Sequence, residues 1–397
     1  MQLVSRPKYP DQHGDRTVAA EDALKRIEPL RKIAGITRIA DITGLDRVGI
    51  YVFSSIRPEA KGGAISVYNG KGLTPVQAKV SAIMEGIERY SAEMWDEIIV
   101  WKRVKDMVGA LDPMELIIPP AVRYQLSQYP IAWVPAFDIC SGKEIQVPAC
   151  AVFHPYYPRA DLQLFRSNTN GLASGNNIEE AILHGLCEVI ERDAWSICEG
   201  RRRVNSDLDI SGTRAEKVAS MFTDKGIELH FKDLTSDIGM PVVAVAADDI
   251  ETKDPGLLTL GIGANPDPEV AAIKALIEVA QSRLTQIHGA REDTVHADRN
   301  RALGYERVKR INRLWFEDSG QRRDLVDLEN LSTNDILEDI NVLTGRLSRV
   351  GLDKVLVCDL TRKELGIPVV RVIVPGAEIF AIDPDRVGAR LMRACGR

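Results

Sequence analysis

Three segments of this 397-residue chain repeat one device, a glycine-containing stretch that runs into an amphipathic helix with an acidic polar face. In residues 170–193, NGLASGNNIEEAILHGLCEVIERD, helical spacing puts His184, Glu188, Glu191 and Arg192 within one arc of about 100°, opposite Leu183, Leu186 and Ile190. Residues 70–90, GKGLTPVQAKVSAIMEGIERY, place Ser81, Glu85, Glu88 and Arg89 at the same offsets. Residues 261–283, GIGANPDPEVAAIKALIEVAQSR, do so with Lys274, Glu278 and Gln281. An alanine (Ala78, Ala181, Ala271) stands seven residues before the first glutamate each time. This is an internal repeat, and it restricts the fold to one that stacks like units.

A second recurring pattern precedes the helices. DITGLDRVGIYVFSSIRP at Asp41, DLTSDIGMPVVAVAADD at Asp233 and DLTRKELGIPVVRVIVPG at Asp359 each read as a turn followed by a strand, with WVPAFDICSG around Asp138 a looser relative. Asp41 precedes Glu85 by 44 residues, Asp233 precedes Glu278 by 45, and Asp138 precedes Glu188 by 50. Each unit is therefore expected to run turn, strand, second strand, glycine loop, helix. The second strands are read as AISVYN (64–69), QVPACAVF (146–153) and LLTLGIGA (257–264). The expected fold is α+β, with internally repeated units whose antiparallel or mixed sheets are covered by long acidic helices. The whole chain, 1–397, is read as one domain. Residues 1–40 form a helical lead-in, with a helix over 18–34, and 291–305 form a charged, mobile loop.

Hydrophobic residues at 45%, charged residues at 27% and a net charge of -6 describe a soluble globular chain rather than a nucleic-acid surface. Six cysteines show no CxxC or Cys/His ligand spacing, and no stretch approaches 18 uninterrupted apolar residues. A cytoplasmic protein with reduced thiols and no membrane contact is expected.

A single ExxER on a helix is a common solvated pattern, since Glu and Arg four apart support one another by about 0.2–0.5 kcal/mol. Three copies behind the same upstream glycines ask for more than solvation. If the helices converge, Glu85, Glu88, Glu188, Glu191 and Glu278 approach one another and need cations to stay ionised. Oxygen-binding Mg²⁺ suits such a cluster and commonly accompanies nucleotide phosphates, which Arg89, Arg192 and Lys274 would meet. Backbone N–H groups of the glycine loops would add donors. These features point to ATP. A di-iron site would need Glu-x-x-His motifs, which neither ExxER helix has, and there is neither a GxxxxGK[ST] loop nor a nucleophile elbow.

At these residues the chain resembles the YcaO family, ATP-dependent enzymes that activate backbone amides. SAIMEGIER (81–89) matches the family's S-x3-E-x2-E-R, SGNNIEEAILHGLCEVIER (174–192) its G-N and E-x2-E-R element, and EVAQSR (278–283) its E-x2-Q. The resemblance implies that Glu85, Glu88, Glu188, Glu191 and Glu278 hold Mg²⁺, and that Ser81, Arg89, Asn176, Glu180, Arg192 and Gln281 contact ATP. Arg16 lies where some relatives place a basic residue on the phosphates. Arg283 falls off the polar face, about 140° from Glu278. His184 faces the acidic side and is the one candidate for a direct catalytic role, although a lone histidine is more often structural.

The family divides by nucleophile: a peptide side chain for azolines, sulfide for thioamides, an amine for amidines. Azoline-forming members often end in a PxPxP tail, whereas this chain ends RLMRACGR. With ADITGLDRVGIYVFSSIRPEA, this makes the chain most similar to archaeal members that install thioglycine in methyl-coenzyme M reductase. The implied partners are that enzyme's alpha subunit as protein substrate, a TfuA protein and sulfide or a sulfur carrier, with a homodimer among the assemblies open to it. The alternatives are an azoline-forming cyclodehydratase of a ribosomal peptide and a non-catalytic nucleotide- or metal-binding scaffold.

Overall fold

The structure is a computed structural model that describes all residues except 11–13, 63–64, 96–97, 160, 291–294 and 397; the side chains of residues 295 and 296 are also outside the description. From the N-terminus, α1 (Ala20–Ile27) leads to β1 (Arg38–Asp41), β2 (Tyr51–Ile56), β3 (Val67–Gly72) and α2 (Pro75–Ala92). Next come β4 (Val100–Lys102), α3 (Pro120–Arg123), β5 (Ile131–Asp138), β6 (Lys143–Pro148), β7 (Leu172–Ser174) and α4 (Ile178–Arg201). The third stretch holds β8 (Ser206–Asp209), α5 (Arg214–Thr223), β9 (Ile227–Asp233), β10 (Val242–Asp249), β11 (Thr259–Ala264) and α6 (Pro268–His288). The chain closes with α7 (Val295–Leu303), α8 (Tyr305–Ile311), α9 (Arg313–Phe316), β12 (Arg322–Asp324), α10 (Ile336–Arg349), β13 (Leu356–Asp359), β14 (Val369–Ile373) and α11 (Ala389–Ala394).

The strands form three sheets, ordered β1-β2-β3, β11-β10-β9-β8-β12 and β4-β5-β13-β14-β7, with β6 paired to β5. All pairs are antiparallel except β12 with β8. This is the expected α+β architecture. Its repeat is a three-strand meander under one helix: β1-β2-β3 with α2, and β9-β10-β11 with α6.

The middle unit departs from the expected order. Its helix α4 lies on β7 and β14, and the hairpin beside β7 is β13-β14 from the C-terminal end of the chain. The expected pairing of Asp138 with α4 is therefore corrected: the β5-β6 hairpin sits farther out, on β13, and the end of QVPACAVF (149–151) is a 3₁₀ turn. Side-chain bonds give the same grouping. The carboxylates of Asp41, Asp233 and Asp359 each accept from the backbone N–H two residues on, at Thr43, Thr235 and Thr361, at 2.8–2.9 Å. Those three threonine hydroxyls in turn accept the first free N–H of the returning strand, at Val52, Val242 and Val369. Each D-x-T thus closes the hairpin of one unit.

The glycines differ from expectation too. Gly70 and Gly72 lie within β3, and Gly261 and Gly263 within β11, not in loops. A Cβ at Gly72 would come within 2.6 Å of Ala78 N, and one at Gly70 would overlap the backbone of Ala82. A Cβ at Gly263 would meet Ala275 N at 2.6 Å. Glycine on the strand and alanine on the helix let α2 and α6 lie directly on the sheet. The helix N-termini are closed by side chains instead: Thr74 accepts from Gln77 N, Asn177 from Glu180 N, and Asp267 from Glu269 N and Val270 N.

Two further expectations are revised. Pro29 limits the lead-in helix to Ala20–Ile27 plus one 3₁₀ turn, and β1 forms within the same lead-in. Of the charged segment read as a loop, 291–294 lies outside the described residues, and Val295–Leu303 is helical. Among the described residues, no helix is long and apolar enough to cross a membrane.

Candidate nucleotide and metal site

The polar faces of α2, α4 and α6 come together because their apolar faces are spent on the sheets. Val189 and Ile190 of α4 join the core that also holds Val370 and Val372 of β14, while Ala271, Ala275 and Val279 of α6 pack with Val243 and Val245 of β10. Electrostatic contacts then link the helices in sequence. Glu188 feels Glu85 from α2, and Glu191 feels Glu278 from α6.

On α2, Glu88 is buried and accepts from Ser174, at 3.1 Å from the backbone N–H and 2.6 Å from the hydroxyl. Burial, with Glu85 and Glu188 nearby, pushes its pKa up to about 8. Glu191 is pushed up to about 8 by burial as well, with Glu278 and Glu188 adding to the effect and Arg192 opposing it. Burial also raises Glu188, against the pull of Arg192 and Arg89. Burial would raise Glu278, but the Lys71 ammonium at 2.7 Å and Arg192 outweigh it and hold the carboxyl below its usual range.

Arginines fill the gaps in this anionic set. Arg89 donates through Nε to Glu85 at 2.9 Å, and its Nη2 binds the same oxygen. Arg192 lies 3.6 Å from Glu191 and 5.3 Å over the Trp195 ring, and its buried Nε has no hydrogen-bond partner among the described residues. Among the described residues, no three of the five glutamates bring ligand oxygens within 4.8 Å of one another. Raised carboxylates and an orphaned guanidinium N–H are what a site built for both a cation and an anion would show. The donor set fits Mg²⁺ with phosphate.

The remaining predicted residues lie on or beside three helices. Arg16 Nη1 reaches Glu180 at 2.8 Å, and Asn176 Nδ2 donates to both Glu180 oxygens at 2.9 and 3.1 Å, so these three meet at the start of α4. A cavity of about 520 Å³ opens beside them, bordered by Thr17, Asn176 and the guanidinium-bearing Arg6 and Arg26. On α6, Gln281 Nε2 donates to the Asn69 carbonyl, and Lys274 lies 4.0 Å from Asp15. Ser81 sits half-buried one turn before Glu85. Arg283 is apart from the site, fully buried against Asp46 and Asp249.

His184 faces the cluster: burial, then Arg16, Lys274 and Lys71, push its pKa down to about 3. A neutral imidazole of such low basicity is a poor proton acceptor. Lys71, Ser174 and Arg371 were not among the predicted residues. Lys71 had a signal in its G-K-G setting on the strand before α2; Ser174 had one as the residue before the G-N element. Arg371, whose guanidinium donates to the carbonyls of Val152, Asn168 and Asn170 and feels Glu188, had none.

The family model described as YcaO cyclodehydratase, ATP- and Mg²⁺-binding, matches residues 69–378, most of the chain and all three acidic helices. The chain belongs to the YcaO family. An uncharacterized protein of Methanothermobacter thermautotrophicus is 48% identical over 380 residues, 95% of this chain and 98% of that one. The structure of YcaO from Methanopyrus kandleri bound with AMPPCP and Mg²⁺ is 33% identical, with a TM-score of 0.82 over 96% of this chain and 98% of that one. An uncharacterized protein in the tfuA 3′ region of Rhizobium leguminosarum bv. trifolii is 31% identical over 92% of this chain and 89% of its own length. As a YcaO protein the chain is an ATP-dependent, Mg²⁺-binding, amide-activating enzyme acting on peptides.

Proposed function

We propose that this YcaO protein replaces the amide oxygen of a peptide-backbone glycine by sulfur, with methyl-coenzyme M reductase as the protein substrate. The carrying observation is a phosphate-ready anionic cleft with no cysteine among the polar residues that form it; the two exposed thiols, Cys140 and Cys395, lie after β5 and at the end of α11. The thiols of Cys150, Cys187, Cys198 and Cys358 are buried, which pushes them up to about 11 or 12. They are too weakly ionised to attack a carbonyl. In this reading the sulfur arrives from outside, as sulfide or on a carrier. The methanogen relatives and the relative from a tfuA 3′ region support this choice and make a TfuA protein the expected partner.

In this reading Glu85, Glu88, Glu188, Glu191 and Glu278 hold Mg²⁺, which when bound neutralises triphosphate charge. Arg89 and Arg192 turn from their glutamates to phosphate oxygens, Lys71 and Lys274 add positive charge, and Ser81 and Gln281 offer neutral hydrogen bonds. Arg16, Asn176 and Glu180 form the polar wall at the start of α4. Hydrosulfide attacks the glycyl carbonyl carbon, forming C–S and leaving charge on oxygen. That oxygen takes the γ-phosphoryl group of ATP as ADP leaves. The C–O bond then breaks, and hydrogen phosphate departs with the amide oxygen and the former S–H proton, leaving C=S. No protein nucleophile is required; the side chains position and neutralise.

The test is the mass of a glycine-containing substrate peptide after incubation with protein, ATP, Mg²⁺ and sulfide. A gain of sulfur minus oxygen, matched by one ADP, is expected. Loss of one water would assign the protein to azoline formation instead. ATP consumption with no change in the peptide would sink both.

A further inference from the structure

The β9-β10 hairpin carries a second group of metal-ligating side chains, on the face of its sheet opposite α6. In the antiparallel register Glu228 stands directly across from Asp248, and His230, two residues on, stands across from Ala246. Strand alternation therefore puts Glu228, His230 and Asp248 on one face. One ligand atom from each lies within 4.8 Å of the others.

The local chemistry is unbalanced. Two carboxylates directly across a strand pair repel and need a counter-charge. Asp248, fully buried, receives Lys309 Nζ and the Tyr305 hydroxyl, each at 2.6 Å. Glu228 is exposed and has no hydrogen bond or ion pair among the described residues. The Nε2 of His230 is shielded from water and has no hydrogen-bond partner among the described residues, while Phe316 packs edge-on against the ring at 5.7 Å between centroids.

We propose that Glu228, His230 and Asp248 form a divalent-cation site of the zinc class, separate from the nucleotide centre, with Lys309 holding the ion's place in the metal-free protein. One imidazole with two carboxylates suits Zn²⁺ better than Mg²⁺, which prefers an all-oxygen set. Lys309 keeps about a third of its side chain exposed and can swing into water as the ion enters. Lys309 and Lys253 both stand near the Tyr305 ring, at 5.8 and 6.0 Å, so they compete with the ion electrostatically. Once bound, the ion would clamp β9 to β10.

The test is Zn²⁺ titration by calorimetry of protein stripped with EDTA and then saturated with Mg²⁺ and AMPPCP, which occupies the nucleotide carboxylates. Wild type should take up one equivalent. Loss of a partner that merely supports a ligand weakens metal sites by roughly 10–100-fold, so His230→Ala should weaken uptake by at least about tenfold. Lys309→Met should tighten it, and both variants should keep ATP turnover. No uptake by wild type, or equal uptake by wild type and His230→Ala, overturns the site. If His230→Ala fails to fold, Lys309→Met decides alone, and an affinity equal to or weaker than wild type rejects the proposal. Because the readout depends on His230 and not on turnover, it stands or falls separately from the thioamidation reading.

Discussion

Helices α4 and α6 start from the same repeat and use their arginines in opposite ways. On α4, Arg192 follows Glu188 by four residues and stays on the acidic face, near Glu191. On α6 the position four after Glu278 is Ser282, and the arginine comes one residue later. One residue is 100° of helix. That turn carries Arg283 into the core, where Nε donates to Asp46 at 2.8 Å and Nη2 to Asp249 at 3.1 Å. A single-residue shift thus separates a guanidinium available to a ligand from one committed to the fold.

The largest effect should come from breaking the α4 side. Glu188→Gln keeps side-chain size and removes one charge from a crowded anionic set, so folding stability should stay within about 1 kcal/mol of wild type. ATP hydrolysis with substrate should fall by at least about 100-fold, the scale seen when one preorganised electrostatic group is lost. Turnover and urea denaturation of one preparation check both halves, and full turnover would remove Glu188 from the metal set.

Arg283→Met should give the converse. It leaves Asp46 without its buried partner, while Asp249 keeps Arg47 at 2.7 Å. Breaking a buried pair typically costs about 3–5 kcal/mol. The unfolding midpoint should drop accordingly, with turnover per folded molecule unchanged. Loss of turnover at unchanged stability would move Arg283 into the site.

These two arginines also show how far the sequence could be read. Offsets along one helix are local geometry, so the acidic faces, the off-face position of Arg283 and the D-x-T hairpins were all legible. Which hairpin belonged to which helix was not. Pairing Asp138 with Glu188 followed from the tendency of neighbouring segments to pack together. The chain instead brings back β13 and β14 from far downstream, with Val369 of β14 paired to Ser174 of β7, to complete the unit of α4. The third D-x-T at Asp359 had no acidic helix after it, and that was the available signal. The glycines were misread because a strand that must accept a helix backbone and a loop that cradles phosphate ask for the same residue. Ser174 and Arg371 act on the cluster from strands distant in sequence, a relation that helix periodicity does not encode.

A smaller effect concerns His184, on the acidic face of α4, where α6 has Lys274. Its pKa is about 3 in the folded chain, against an ordinary 6.5. The unfolded chain therefore takes up a proton below about 6.5 that the folded chain refuses. The stability contributed by neutral His184 is fully present above that pH and is lost as pH falls from about 6.5 towards 3, by at most about 1.4 kcal/mol per unit. His184→Gln should lose less on going from pH 7 to pH 5 in thermal melts. Parallel losses in the two proteins would mean that His184 reaches solvent when protonated.

The smallest expected effect tests the corrected reading of the glycine stretches. At the start of α2, Thr74 accepts Gln77 N at 3.2 Å while Gln77 Oε1 accepts Leu73 N at 3.1 Å, a reciprocal cap. At the start of α6, Asp267 takes the same role and also pairs with Arg214 at 2.7 Å, placing a carboxylate where a phosphate would sit. If these N-termini are closed structural ends, Thr74→Ala should cost about 1 kcal/mol of stability, the usual worth of a cap. KM for ATP should not move if, as proposed, arginine and lysine side chains rather than the first turn of α2 meet the phosphates. A several-fold rise in KM at unchanged kcat would restore the helix N-terminus as a phosphate donor. It would also reassign Gly70 and Gly72 from helix packing to ligand binding.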